Sequence, residues 1–434
     1  MFHLRPKFCF SLLSLILTIC FVTGCNRTVK DEQYSDKIAG RLDSLYTHKQ
    51  FFSARNLLEK EKDNLTRLQQ LKWEALVDNV FNRLERSAKG IEQLFASYGT
   101  QLPDSVRLQL LRAQQINYGR LGRYKNAFET AATILKHCAH LLGSAELENF
   151  RNMARIWSNL LAQPPQSVVI NGPVHILMKR DKAGLATLPV TGFGVSLNFI
   201  FDTGANLCTT TETNARKLNM RITDSLVNVR SITGAMVAAR IAVCPNLYIR
   251  GIHLQNTVFI VFPDNALYIQ PLQHQIEGII GFPVIQALGA VQITRANEFI
   301  VPQRTSGGKE ENMAFDFLTP VINIEGESYT LDTGADETML YLPYYLKHKK
   351  RIDSVYRPEQ LRFSGVGGSV LKEGYYIQFS PVLGNTSMVL DSVMLFREHI
   401  GSSGDHYYGN IGQDLIKQFE KMTLDFRAMY VGFE

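Results

Sequence analysis

Between about Glu32 and Gln163 apolar residues return at helical spacing, as at Ile38, Leu42 and Leu45 and again at Leu57 and Leu58, with almost no strand-like alternation. The pattern predicts a helical region over residues 33–165, closed by Pro164-Pro165. Beyond that pair the texture changes to short apolar runs broken by Gly, Asn and Pro, among them Ser167 to Ile170, Val174 to Met178, Val195 to Phe201 and Leu247 to Ile249. Such runs predict strands. The β-rich part also repeats itself. Phe199-Ile200-Phe201-Asp202-Thr203-Gly204-Ala205-Asn206 returns further on as Tyr329-Thr330-Leu331-Asp332-Thr333-Gly334-Ala335-Asp336, so that Asp332 answers Asp202. Gly278-Ile279-Ile280-Gly281-Phe282 likewise returns as Gly409-Asn410-Ile411-Gly412-Gln413, so that Gly412 answers Gly281. Two separate landmarks at nearly one offset predict a duplicated unit, with one lobe at 166–303 and the other at 312–434. The polar, Gly-containing stretch 304–311 between them reads as a linker.

The helical region carries a resemblance of its own. Tyr118, Leu121, Gly122, Tyr124 and Ala127 resemble the turn between the two helices of a tetratricopeptide repeat, where Gly permits the tight turn and Ala allows close helix packing. Weaker echoes centre on Ala54 and Ala88, whose separation equals the period of that repeat. The expectation is three helical hairpins; a plain helical bundle with Ala and Leu in its core is the other reading. Such a region suits a protein partner.

Composition narrows the function classes. Hydrophobic residues make up 45 % of the 434 and charged residues 20 %, and the mean hydropathy is -0.07. These values exclude wholesale disorder and a polytopic membrane protein, and the length allows two or three domains. The formal net charge of +6 falls to +4 without Arg5 and Lys7, leaving 44 basic against 40 acidic residues. So small an excess, with no basic block, gives no case for a nucleic-acid partner.

Those two residues belong to the start of the chain, where a basic segment precedes the apolar run Phe8 to Val22, which is short for a transmembrane span. Val22-Thr23-Gly24-Cys25 follows and resembles a bacterial lipobox. The resemblance implies a signal peptide over residues 1–24 and a lipid on Cys25, with residues 25–32 as a tether. The chain would then sit in the bacterial cell envelope, lipid-anchored on the periplasmic or surface face. The alternative is an ordinary signal peptide with a chance Cys. With Cys9 and Cys20 removed and Cys25 carrying the lipid, Cys138, Cys208 and Cys244 remain, an odd and widely spaced set that suits neither a disulfide scaffold nor structural zinc. His137, Cys138 and His140 lie close together but have no acidic neighbour in the sequence, so they read as ordinary helix residues. Cys208 reads as a buried thiol, and His348 to Arg351 as the solvated end of a helix.

An Asp at the end of an apolar strand, followed by Thr-Gly-Ala, puts a carboxylate on a tight loop where Gly allows close backbone approach. A single copy is most often only a turn. In two copies on duplicated lobes related by a pseudo-two-fold axis, Asp202 and Asp332 would meet at its centre. Two carboxyls about 3 Å apart cannot both ionise and share one proton, supplying an acid and a base together; paired carboxyls of this kind are the standard illustration of coupled titration.

Leu331-Asp332-Thr333-Gly334-Ala335-Asp336-Glu337-Thr338-Met339-Leu340 resembles the active-site loop of retroviral-type (retropepsin-like) aspartic proteases. Asn410-Ile411-Gly412-Gln413-Asp414-Leu415 resembles their C-terminal Ile-Gly motif, and Phe363-Ser364-Gly365-Val366-Gly367-Gly368-Ser369-Val370 their glycine-rich flap. The first lobe repeats the loop and Ile280-Gly281, with Ser231-Ile232-Thr233-Gly234-Ala235 as an approximate flap. The resemblance covers both lobes and stops short of the helical region. It implies an all-β bilobal fold with both halves in one chain, as in pepsin-like enzymes, behind the all-α hairpins. It further implies that Asp202 and Asp332 are catalytic, that a peptide or protein is the substrate, and that no metal or other cofactor is used. Thr203 and Thr333 would interlock across the axis. Gly204 and Gly334 would offer backbone groups to an extended substrate, with Asp336 near it, and Thr233, Gly234, Gly365, Val366, Gly367 and Gly368 would close over it.

Two positions depart from the pattern. Ala205 and Ala335 stand where pepsin-like enzymes carry a hydroxyl that stabilises the ionised pair, which predicts an activity optimum at milder pH than pepsin's. Phe282 and Gln413 replace the Arg that often follows Ile-Gly, which leaves the lobe contacts open. Two other readings are a peptide-binding module without turnover and a helical-repeat scaffold whose lobes serve only assembly.

Overall fold

A computed structural model describes residues 29–230, 236–304, 310–365, 368–384, 386–400 and 406–434. Among the described residues seven α-helices come first: α1 (Val29–Thr47), α2 (Phe51–Glu61), α3 (Arg67–Val80), α4 (Leu84–Tyr98), α5 (Asp104–Arg120), α6 (Tyr124–His137) and α7 (Ser144–Leu160). The first six form three hairpins with one kind of turn. Lys49, Asn82 and Gly122 each take a positive φ, at 59°, 61° and 69°. Each precedes a residue with φ between -92° and -85°, Arg83 and Gln50 marking the two ends, after which the second helix starts. Just inside that second helix stand Ala54, Ser87 and Ala127, all fully buried, because a small side chain there lets the two helices approach. The second hairpin therefore centres on Ser87 rather than Ala88, and no constant period survives. The Ser87 hydroxyl is satisfied by donating to Ala75 O at 2.7 Å.

Two expectations about boundaries change. Residues 29–32 of the expected tether lie in α1, whose first turn carries Asp31 and Glu32, where the helix dipole favours negative charge. The end of the expected linker is pinned, since Glu311 accepts hydrogen bonds from Arg55 and Arg83. Arg304 and residues 310–311 are described; 305–309 lie outside the described residues, as do residues 1–28 with Cys25. Among the described residues no helix is long and apolar enough to cross a membrane. His140 does have an acidic neighbour in space, its Nε2 lying 3.5 Å from Asp104 Oδ2.

The β-rich part consists of two lobes sharing a sheet. In the first, strand Val195–Phe201 runs parallel to Gly278–Ile280, with Ile200 opposite Ile279 and Phe201 opposite Ile280. Gly278–Ile280 pairs antiparallel with Cys208–Thr211 on its other side. The second lobe repeats this. Glu327–Leu331 runs parallel to Gly409–Ile411, with Thr330 opposite Asn410 and Leu331 opposite Ile411, and Met339–Leu340 lies antiparallel on the far side. A five-stranded sheet joins the lobes, in the order Val174–Leu177, Glu298–Val301, Ala290–Thr294, Lys421–Asp425, Tyr430–Phe433. Its central pairing, Ala290 to Thr294 against Asp425 to Lys421, crosses from one lobe to the other. One apolar cluster runs through both lobes.

The helical region docks on both. Tyr124 and Leu160 pack with Val227, Ala239 and Ile241 of the first lobe, while the core of α1 to α5 continues into Tyr341, Leu361, Phe396 and Tyr407 of the second. At the junction Arg120 is half-buried. Its Nη2 donates to Asn82 Oδ1 at 2.7 Å and its Nε to Gln286 Oε1 at 3.2 Å, and its guanidinium lies 4.7 Å from the Phe315 ring centroid.

Candidate active site

Each Asp-Thr-Gly loop begins where its strand ends. The Asp202 N–H donates to Ile280 O at 3.1 Å and the Asp332 N–H to Ile411 O at 3.0 Å, so the parallel neighbour strand carries the pairing one residue beyond the ladder. The chain then turns back. Phe282 N donates to Ala205 O at 2.8 Å, and Gln413 N to Ala335 O at 2.9 Å. Both loops are thus held between their own strand and the residue after Ile-Gly.

Four hydrogen bonds then thread the loops through one another. Thr203 N donates to Thr333 Oγ1 at 3.0 Å, and the Thr333 hydroxyl donates to Phe201 O at 2.9 Å. Reciprocally, Thr333 N donates to Thr203 Oγ1 at 3.0 Å and the Thr203 hydroxyl to Leu331 O at 2.9 Å. Both threonines have no exposed surface. Each hydroxyl is engaged as donor and as acceptor, so the relative position of the loops is fixed from both sides.

This crossing sets the two carboxyls against each other's loop. A Cβ on Gly204 would lie 2.6 Å from Asp332 Cγ, and one on Gly334 would lie 2.3 Å from Asp202 Cγ. Only a residue without a side chain leaves room for the opposite carboxyl. Gly204 N and Ala205 N donate to Asp202 Oδ1 at 2.7 and 3.1 Å, and Gly334 N donates to Asp332 Oδ1 at 2.8 Å. Burial pushes both carboxyls above the usual carboxylate range, and the neighbouring Asp332 charge pushes Asp202 further up. Two buried carboxyls in such a pair titrate together and share one proton.

Around this centre, Asp336 sits at the lobe boundary, 3.4 Å from Lys417 Nζ, with Gly184 of the first lobe beside it. The strands Glu359–Gly365 and Gly368–Phe379 form a hairpin closing on the pair Gly365 and Gly368; Val366 and Gly367 lie outside the described residues. In the first lobe Arg221–Arg230 and Met236–Ile249 form the counterpart, closing on Arg230 and Met236, with Thr233 and Gly234 outside the described residues. Cys208 is buried, accepts from Gly281 N at 3.3 Å, and burial pushes its thiol up to about 12, a setting that disfavours a thiolate.

The lobe contacts left open by Phe282 and Gln413 are apolar on one side and polar on the other. The Phe282 ring meets Phe315 of the second lobe edge-on, with centroids 4.8 Å apart. Gln413 Nε2 donates to Thr333 O at 2.9 Å, and Arg180 of the first lobe donates to Gln413 Oε1 at 3.3 Å. Sequence reasoning assigned no role to Asn410, which is buried and accepts from the Thr330 hydroxyl at 2.6 Å. Its signal was the single polar letter that breaks the symmetry between Gly278-Ile279-Ile280-Gly281 and Gly409-Asn410-Ile411-Gly412.

Comparison with known proteins agrees with the first lobe. Residues 188–284 match the model of a family described as aspartyl protease, a span that holds the Asp202 loop and Ile280-Gly281. No curated protein matches the chain. Among solved structures, the crystal structure of a retropepsin-like aspartic protease from Rickettsia conorii aligns at 16 % identity and a TM-score of 0.21, over 32 % of this chain and 94 % of that chain.

Proposed function

We propose that the chain is an aspartic endopeptidase in which Asp202 and Asp332 activate one water molecule. The ionised carboxylate takes a proton from the water as its oxygen bonds to the peptide carbonyl carbon, while the protonated carboxyl donates to the carbonyl oxygen. The tetrahedral diol then breaks its C–N bond: the amine leaves with the proton that the base took from water, one diol hydroxyl returns its proton to the carboxylate that protonated the carbonyl oxygen, and a carboxylic acid and an amine are released. No covalent enzyme intermediate arises. Thr203 and Thr333 position the carboxyls; the two hairpins flank a substrate bound as an extended strand.

The observation that carries this reading is the mutual seating of each carboxyl against the other loop's glycine, which an incidental Asp-Gly turn has no reason to produce twice. The test is incubation of the chain from about residue 29 with a diverse peptide pool. Cleavage is expected, abolished in Asp202→Asn and in Asp332→Asn, with a pH optimum well above 2 because Ala205 and Ala335 supply no hydroxyl. Capture of peptides without cleavage would instead indicate a binding module.

The segment before α1 extends the proposal to a lipid anchor on Cys25, which would keep the enzyme at a membrane of the cell envelope with the helical region free to recruit a protein partner. Replacing Cys25→Ala should then move the protein from the membrane to the soluble fraction and remove metabolic labelling by a fatty acid.

A further inference from the structure

The strand that leads to Asp202 begins on an outward face of the first lobe, and the pairings lay out what that face carries. Ser196 lies opposite Thr191, Thr191 opposite Tyr248, Tyr248 opposite His253, and His253 opposite Val169. Residues directly opposite in antiparallel strands share a face, so these five form one row across five strands. Asn246, Gln255 and Ser167 form a second row beside it, and Phe193 follows in the turn after Thr191. Phe193 is 74 % exposed, Tyr248 47 % and Val169 43 %, an outward concentration of apolar surface that a chain keeps for contact. No Lys, Arg, Asp or Glu stands in either row, although such residues make up 20 % of the chain. Charges stay at the border: Arg250 lies in the turn joining the strands of Tyr248 and His253, and the Glu277 carboxylate accepts from Asn198 N at 2.6 Å.

Within the strip the Tyr248 and His253 rings stack, 12° from parallel with centroids 4.5 Å apart. His253 covers one face of the tyrosine. The other looks along the row toward Thr191 and Ser196, whose short side chains leave it open. Asn246 Oδ1 lies 2.9 Å from His253 Nε2, and Gln255 Oε1 accepts from the Ser167 hydroxyl at 2.9 Å, so each amide keeps its nitrogen as a spare donor. Among the described residues no partner engages those nitrogens or the hydroxyls of Thr191, Ser196 and Tyr248. An open aromatic face beside neutral donors and acceptors matches the C–H face and the hydroxyls of a sugar ring. We infer that this strip is a binding site for an uncharged oligosaccharide, with one ring seated against Tyr248 and its neighbours hydrogen-bonded along the row. Other occupants fit less well. An anionic lipid surface or a nucleic acid calls for cations, which the rows lack. An extended peptide needs backbone partners, and the strands of Thr191, Tyr248 and His253 are paired on both sides. A second copy of the chain needs about 800 Å² on each side, whereas two rows about 7 Å apart over about 19 Å offer far less. Ser196 stands at the far end of its strand from the Asp202 loop, so the site is independent of the peptidase reading.

The experiment titrates cellohexaose, maltohexaose and chitohexaose in turn into the chain from residue 29, which holds every described element, by isothermal calorimetry. It is repeated with Tyr248→Ala, which removes the platform, and with Thr191→Arg, which keeps the stacked pair and lays a long charged side chain across its open face. Both positions are exposed, so neither change empties the core. At least one of the three sugars should bind saturably below about 10 mM, and each variant should weaken that binding by about tenfold or more. No saturable binding of any of the three, or binding that both variants leave unchanged, overturns the inference. So does a dimer, seen by sedimentation, that Tyr248→Ala dissolves, because the face then belongs to a second copy. If Tyr248→Ala does not fold, Thr191→Arg decides by the same criterion. A chain that cleaves no peptide but binds the sugar leaves this inference standing while the peptidase reading falls.

Discussion

At the scale of single residues, the two carboxyls carry a thermodynamic cost. Burial holds Asp202 well above the usual carboxylate range in the folded chain, whereas in the unfolded chain it titrates near 3.9. Between those two values the folded state binds more protons, so stability falls as pH rises through the window. The stabilisation is complete below the unfolded value and lost above the folded one. Asp202→Asn removes the ionisation while keeping the shape. It should therefore abolish turnover yet raise the melting temperature at pH 7, by on the order of a few °C, and the gain should vanish near pH 3. Equal melting at pH 7 would contradict the assigned burial cost. Asp202 and Asp332 were legible in the letters because a motif repeated at one offset marks them. Phe282, Gln413 and Arg180 were not, since each acts on a residue far away in the chain, and no local pattern records which side chain lies across a lobe boundary.

At the scale of elements, the helical periodicity and the strand runs set each segment's type, and the three helix turns show how the letters mislead in detail. Gly122 reads as a turn because it lacks a side chain, but Lys49 and Asn82 take the same left-handed conformation. Asn tolerates it better than most residues. Asn82 also works outward: its Nδ2 donates to Phe426 O at 2.7 Å, and its Oδ1 accepts from Arg120 and Gln286. One side chain thus touches both lobes, which explains a turn residue that periodicity alone passes over. Asn82→Gly keeps the backbone conformation and loses these bonds; Asn82→Ala loses both. We expect chemical denaturation to rank the stabilities parent, then Gly, then Ala, with the first step the larger, at about 1–3 kcal/mol for the buried groups left unpaired. A Gly variant as stable as the parent would show that the contacts to the lobes contribute nothing.

At the scale of the whole molecule, the helical region and the lobes share apolar surface rather than a hinge. The core of α1 to α5 is continuous with Leu361, Phe396 and Tyr407, and α6 and α7 cover Val227, Ala239 and Ile241 on the hairpin of the other lobe. In the sequence these residues look like ordinary inward-facing strand positions, so the boundary at Pro164-Pro165 was readable and the docking was not. Extensive apolar contact of this kind opposes independent domain motion. Calorimetry of the chain from residue 29 should show a single unfolding transition, and a chain starting at residue 166 should expose both faces and aggregate. Two well-separated transitions, or a soluble and folded truncated form, would mean that the helices are only appended.

The sheet that joins the lobes also sets an order of events during synthesis. Lys421–Asp425 must reach Ala290–Thr294 before the halves are welded, and Gly409–Ile411 must fill the gap beside Glu327–Leu331 before Asp332 has its backbone support. A ribosome that has translated both carboxyls has therefore not yet brought them together. The nascent polypeptide carries Asp202 and Asp332 unassembled until Gly409–Ile411 and Lys421–Asp425 have emerged.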